Sequence, residues 1–480
     1  MSPMNSRNST WRAIRMGNLD TDAGLRRKSR CVPSASGIVF SAMTRIGNKT
    51  GLRAACGLGA LLCATAFAQD QEALSLQRTL ELTIANNGTV RAAFLDLEAA
   101  RSRVRQAFSL FLPSVTPSFR YDTSRSETYT GSFAGVTKRS DGTPQVTANW
   151  RLLDSGEREW SYQSSRRQAS AAEWDAIQTV RNLLFQVHQQ YYDALRAQEL
   201  MAVSEAQLNR AETILKQTDA QIEVGMAPKK DRLQANADFL NAQVQRLQTL
   251  NQRAIALTTL KATLAWPESR DLPKLMAAMV PQRFPPILPL AEATRLGLAN
   301  RPDLQSRRQR LSSQRYQVLR AERDASFSWT LDASYVRQFG PDVSDQRALT
   351  FLVSIPLFDG NFARESARQA RLSYDAFEAE LVQAEHQARA EIESAHVSLS
   401  QDIERVHAAI AAREAAQLNY EAAVESQKQG AEGTTVITVL TAQVSLVTAE
   451  LNYVEAVYDY LISEMRLRLA VGESLPGEES

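Results

Sequence analysis

The sequence predicts a mixed, mainly α fold: long antiparallel helical hairpins joined to four amphipathic strands per chain. Three observations carry this. Glu157 to Val224 is a run of 68 residues with no glycine or proline, and Asn361 to Gln429 is a second of 69. At about 1.5 Å per residue each would span roughly 100 Å as one helix, far beyond the ordinary helix of about 11 or 12 residues. Between the helical stretches the apolar period shortens to two. The whole plan is then given twice.

The first rod has one continuous apolar seam in steps of seven, through Val180, Val187, Ala194, Met201, Leu208, Leu215 and Ile222. Its companion seam starts as Ile177, Leu184 and Tyr191 and turns polar at Gln198, Glu205, Glu212 and Asp219. That face leaves a packed interior and meets water or a polar partner.

Before the first repeat, Met43 to Ala68 reads as a secretory signal peptide. Arg45, Lys49 and Arg53 make its basic start, Ala54 to Thr65 its apolar segment and Ala66-Phe67-Ala68 its cleavage site. Residues 1–42 form an extension upstream of the expected start at Met43. Arg26-Arg27-Lys28 lacks the apolar segment of a twin-arginine signal, and neither Cys56 nor Cys63 has the pattern of a lipidated cysteine. Cys31, Cys56 and Cys63 all precede the cleavage site, so the mature chain holds no cysteine. It also loses ten Lys or Arg and two Asp or Glu, which turns the formal charge of +2 to about −6 and argues against a nucleic-acid partner. Sequencing the mature amino terminus is expected to return Gln69-Asp70. A mature protein retaining residues 1–42 overturns that expectation.

The duplication shows by direct alignment. Leu74 to Gly88 lies on Leu288 to Pro302 at an offset of 214, which continues through Arg101 with Arg315, Val104 with Val318 and Tyr121 with Tyr335. After the first hairpin the offset becomes 205, pairing Leu152 with Leu357, Asp154 with Asp359 and Gly225 with Gly430. The chain thus divides into a first repeat at 69–266, a proline-rich strap at 267–287, a second repeat at 288–472 and a tail at 473–480.

Within the first repeat, Val115, Pro117, Phe119 and Tyr121 go out and Val146, Ala148, Trp150 and Leu152 return, with Ser124 to Pro144 expected as a polar loop. In the second, Phe327 to Tyr335 and Leu349 to Leu357 do the same around Gly340-Pro341. Such strands suit an outer-membrane barrel, with a soluble hairpin packed on a helix as the competing account. Trp150, Trp329 and Phe327 are candidates for an interfacial girdle or for core packing. Each rod then ends in a break and a further helix, from about Lys229 to Trp266 and again after Gly433, making antiparallel hairpins. Open sheet edges cannot face lipid, so four strands require closure with other chains.

The order helix, hairpin, long helix, glycine turn and helix, given twice behind a signal peptide, resembles the TolC family of outer-membrane channel proteins over about residues 74–472. The local carriers are Ala85-Asn86-Asn87 with Ala299-Asn300-Arg301-Pro302-Asp303, the strand exit Ile355-Pro356-Leu357-Phe358-Asp359-Gly360, and two turns. These are Val224-Gly225-Met226 followed by Leu233-Gln234-Ala235, and Gly433-Thr434 followed by Leu440-Thr441-Ala442. The resemblance implies a homotrimer whose twelve strands close a transmembrane β-barrel in outer-membrane lipid, continued by an α-barrel through the periplasm. It implies the passive exit duct of a tripartite efflux pump or type I secretion system, joined to an inner-membrane pump by a periplasmic adaptor, the membrane fusion protein. The docking tips would be Val224, Gly225, Met226, Gly430, Gly433 and Thr434. The periplasmic entrance would carry Asp231, Gln234, Thr438 and Thr441, a departure from the acidic rings of some family members.

Enzyme signatures are absent: there is no phosphate-binding glycine loop, nucleophile elbow or zinc-helix motif, and no cofactor or metal is expected. His188, His386, His396 and His407 fall on the long helices with no metal-ligand spacing and are expected at solvated positions. Tyr191-Tyr192 reads as packing between helices. A periplasmic adaptor or coiled-coil scaffold is the main alternative function and an envelope hydrolase the next, but neither calls for two amphipathic strand pairs.

Overall fold

The computed structural model describes residues 73–131, 133–225, 228–267, 269–278, 283–323, 327–340, 343–429 and 436–477. The expected extension, signal peptide and cleavage site lie outside them. Each half contributes two short helices, a hairpin, a rod and a shorter helix. In the first half these are α1 (Leu76–Asn86), α2 (Gly88–Ser109), β1 (Ser114–Thr130), β2 (Phe133–Leu153), α3 (Glu157–Glu223) and α4 (Lys229–Thr263). In the second they are α5 (Leu290–Asn300), α6 (Pro302–Ala321), β3 (Ser328–Gln338), β4 (Ser344–Ser354), α7 (Phe362–Lys428) and α8 (Val436–Val471). Both rods contain 67 residues, so the runs free of glycine and proline are helical almost from end to end.

The helix starts follow from their sequences. Ser75 accepts from the Arg78 amide at 3.2 Å to cap α1, Asn87 accepts from the Thr89 amide at 2.7 Å to cap α2, and Pro302 opens α6 with its ring in the first turn. The strand-to-rod turns are a matched pair. Asp154 accepts from the amides of Gly156 and Arg158, and Asp359 from those of Asn361 and Ala363, each position displaced by the same 205. Ser155 and Gly156 in one turn, and Gly360 and Asn361 in the other, all take left-handed backbone. The internal repeat is therefore present at the level of single hydrogen bonds.

The main core lies along the upper half of α3, the middle of α7 and most of α8, with Leu184, Val187, Tyr191, Ile392, Val406 and Tyr460 among its fully buried side chains. The seam in steps of seven is buried at Val180, Val187 and Ala194 and half-buried from Met201 onward. The companion seam faces a polar neighbour at two of its positions: Glu205 lies 3.6 Å from Arg246 and Asp219 2.7 Å from Arg232, both on α4. The proline-rich segment between the halves touches the first half at Leu275 and Met276. Leu74 and Leu275 form a parallel bridge, and the Tyr191 hydroxyl lies 2.9 Å from the carbonyl oxygens of both Leu74 and Met276, donating to the pair. Tyr191 and Tyr192 are thus packing residues, with burial raising both phenols and holding Tyr192 at about 12.

Two expectations are corrected. Ser124 to Pro144 is not a loop, because β1 and β2 pair without interruption from Ser114–Asn149 out to Thr130–Phe133. Polar residues facing water on both sides support a ladder as well as apolar ones do, and they leave no alternation to read. His188 is not solvated but fully buried. Its Nδ1 donates to the Leu184 carbonyl at 2.8 Å, and Nε2 has no hydrogen-bond partner among the described residues. His396 is half-buried, 3.0 Å from the Leu288 carbonyl oxygen, whereas His386 and His407 are exposed as expected, the latter edge-on to Phe284.

Burial holds the His188 imidazole below its ordinary pKa of 6.5, and Arg468 adds repulsion, against the opposing effect of the Leu184 carbonyl. The folded chain therefore keeps the ring neutral while the unfolded chain takes up a proton sooner. The stability this residue supplies is whole above pH 6.5 and is lost as pH falls below it towards the depressed folded value. Thermal melts at pH 7.5 and 5.5 are expected to show a lower midpoint in acid. The drop should shrink in a His188→Gln variant, whose amide does not titrate.

Candidate functional site

Four strands pair in the order β1-β2-β3-β4, all antiparallel. Their register decides which side chains share a face. Val115 stands opposite Ala148, Ala148 opposite Ala333, and Ala333 opposite Leu349. Stepping by two from that row collects Pro117, Phe119 and Tyr121 on β1, Val146 and Trp150 on β2, Trp329, Leu331 and Tyr335 on β3, and Phe351 and Val353 on β4. The opposite face holds Thr116, Ser118, Gln145, Thr147, Asn149, Asp332, Ser334 and Thr350, and there the Asn149 amide donates to the Asp332 carboxylate. One face is thus apolar along all four strands and the other mainly hydrophilic, with Val336, Ala348 and Leu352 among its apolar members.

The apolar band slides along the sheet. Its continuous run ends at Tyr121 on β1, opposite Gly142, but at Tyr335 on β3, opposite Val146 four residues nearer the helices, with Arg337 and then Phe339, which bridges to Gly142, beyond it. A band that steps back by about two residues per strand stays level only when the strands tilt, as they do in a barrel wall. At the helical end Trp150, Trp329 and Phe327 are 41%, 37% and 42% exposed in the single chain, and Trp329 packs against both Phe327 and Phe351. The Trp150 indole donates to the Phe111 carbonyl at 3.0 Å, which fixes its depth. The outer edges of β1 and β4 have no strand beside them among the described residues.

At the far end of the rods a second, smaller apolar cluster joins Ile214 of α3, Ala235 of α4 and Val436, Val439 and Leu440 of α8, backed by Tyr420, Ala423 and Val424 of α7. This puts the ends of both helical hairpins together. Above it the hairpins are clasped by polar pairs between α3 and α8: Arg210–Glu450 at 2.8 Å, Arg196–Asp459 at 3.1 Å and the Tyr458 hydroxyl donating to Glu199 at 3.0 Å. Arg405 of α7 holds the other oxygen of Asp459 at 2.8 Å.

The tip residues can be placed in part. Val224 closes α3 and is exposed, and Gly225 follows with φ +76° and no neighbouring atom where a Cβ would stand. Met226, Gly430, Gly433 and Thr434 lie outside the described residues. At the expected entrance, Asp231 is buried in the first turn of α4, while Gln234 is exposed and donates along the helix to Asp238. Thr438 and Thr441 are exposed on α8 on the side away from the small cluster. Thr441, Ser445 and Thr448 extend that side, each hydroxyl donating to the carbonyl four residues back. Sequence reasoning did not pick out Ser445 and Thr448, although their spacing from Thr441 was readable. The stripe is neutral, and Asp231 does not stand open beside it.

A family model described as "Outer membrane efflux protein" matches residues 79–265 and 294–473. The outer membrane efflux protein BepC of Brucella suis is 24% identical over 400 residues, covering 81% of this chain and 83% of its own. The alkaline protease secretion protein AprF of Pseudomonas aeruginosa is 25% identical, covering 84% and 85%. Among solved structures, CusC, whose transmembrane channel formation has been described, superposes with a TM-score of 0.74 at 17% identity over 83% of this chain and 92% of its own.

Proposed function

The chain belongs to the outer membrane efflux protein family, and from that premise we propose that it acts as the homotrimeric exit duct of a tripartite efflux pump or a type I secretion system. It would be a passive conduit in the outer membrane, joined through a periplasmic adaptor to an inner-membrane pump that supplies the energy. BepC is named for efflux and AprF for secretion of a protease, so both pump classes have relatives of comparable similarity. The observation that carries the reading is the register that gathers the apolar residues of four strands onto one face and leaves both sheet edges open. Unpaired edge groups in lipid cost several kcal/mol each, so the sheet has to be completed by strands of other copies.

The helices support the same assembly. An apolar stripe of α4, Leu233, Leu240, Val244 and Leu247, is exposed in the single chain, as are Leu372, Val382 and Leu418 of α7. By its residues α4 carries a net charge of +4 and α7 one of −5. Seating α4 of one copy against α7 of the next covers both stripes and brings opposite charges together. Mass measurement in mild detergent is expected to give three protomers per particle. A detergent-free soluble monomer would overturn the reading. The tips at Val224, Gly225, Met226, Gly430, Gly433 and Thr434 are the proposed adaptor contact. Gln234, Thr438 and Thr441 are the proposed entrance lining, with Asp231 behind them.

A further inference from the structure

Resting on that reading, we propose that Arg337 and Arg347 form a clamp for the phosphorylated headgroups of outer-leaflet lipid. On the lipid-facing side of the described strands every basic residue lies beyond the continuous apolar run: Arg337 and Arg347 directly past it, with Phe339 beyond Arg337, and Arg125 and Lys138 further out. The helical end of the same face has tryptophan and no arginine. Tyr335 stands opposite Arg347 and Arg337 opposite Asp345, so the two arginines are diagonal neighbours about 7–8 Å apart. Each guanidinium lies over an aromatic ring of this face, Arg347 5.7 Å from the Tyr335 centroid and Arg337 4.9 Å from that of Phe339.

A guanidinium held near a ring face by cation–π attraction keeps N–H groups free to donate, as bidentate phosphate recognition requires. Asp345 lies 3.5 Å from Arg337, with both side chains nearly half exposed. Arg347 is exposed and has no ion pair among the described residues. Two cations thus face one carboxylate, and the pair keeps a net positive charge at the depth where a headgroup phosphate sits. The acyl chains of the same lipid would lie on Leu349, Phe351 and Leu331 below.

The test uses the purified full-length protein in nonionic detergent. Binding of a diglucosamine lipid bearing two phosphates is compared with binding of the same lipid after its phosphates are removed, by native mass spectrometry. The phosphorylated form is expected to bind at least about tenfold more tightly, the preference to disappear in R337Q/R347Q, to weaken in R337K/R347K, which keeps the charge and loses the fork, and to survive in R120Q, which alters the opposite face. Inorganic phosphate at millimolar concentration is expected not to compete. Equal binding of the two lipids by the unaltered protein overturns the clamp, as does a preference untouched by R337Q/R347Q or abolished by inorganic phosphate. If the glutamine variant fails to assemble, the comparison of the two lipids on the unaltered protein decides. Conductance in planar bilayers, recorded on the same preparation, separates the two readings: open pores without lipid preference remove the clamp alone, and the absence of pores removes the duct.

Discussion

Replacing Arg158 with alanine is expected to cost about 3–5 kcal/mol of local stability where the first hairpin enters its rod, because it strands a buried carboxylate. The Arg158 and Asp154 side chains are 10% and 7% exposed and meet at 2.5 Å. The guanidinium also donates to the carbonyls of Arg151 at 2.6 Å, Leu152 at 3.1 Å and Leu110 at 3.3 Å, and lies 5.1 Å from the Phe111 ring centroid. One side chain thus ties the end of α2, the end of β2 and the first turn of α3. The second repeat has Ala363 at the matching place, and Asp359 there is an exposed cap serving two amides. Asp359→Ala should therefore cost only about 1 kcal/mol. Amide exchange across residues 151–160 and 356–365 measures both effects in the assembled protein. Equal protection losses in the two turns would refute the asymmetry.

Those turns also show what was legible in the sequence. Asp154 and Asp359 align at one offset, and the equal rods and paired strands follow from periodicity, since heptad and alternating patterns report directly on a buried face. Periodicity is silent where both faces meet water. The β1–β2 ladder beyond Tyr121, with Thr123 opposite Ser140 and Arg125 opposite Lys138, was therefore taken for a loop. It is silent too about the nature of a polar environment. Glu205 and Asp219 interrupt the apolar seam in the same way whether water or the arginines of α4 stand opposite. His188 was misplaced because a neutral imidazole bonded to its own helix fits a core position without disturbing the pattern around it. Thr438 and Thr441 come to the proposed entrance from the resemblance alone. Only the packing of Val436, Val439 and Leu440 on Ile214 shows which side of α8 they present.

Placing tryptophan at Gly225 is expected to abolish export while leaving trimer yield and outer-membrane location nearly unchanged. The turn lies at the end of the rods remote from the sheet, beside the small cluster around Ile214 and Val436, so it takes no part in the barrel. Gly225 adopts φ +76°, and a side chain there has no atom of this chain within 4 Å to strike. Any L-residue at this position meets backbone strain of about 1–2 kcal/mol, which a helix of 67 residues packed along its length can absorb. Alanine introduces that strain without bulk and tryptophan introduces both. Gly225→Ala should then export nearly normally and Gly225→Trp should not, because the indole occupies the space through which a partner's helix tip approaches. The same substitution at Gly433 is expected to act alike at the second turn. Export by the Gly225→Trp variant with correctly assembled trimers would show that the adaptor docks elsewhere on the helices. Equal loss in both Gly225 variants would assign the glycine to the turn alone, and loss of trimers would make it structural for the whole barrel.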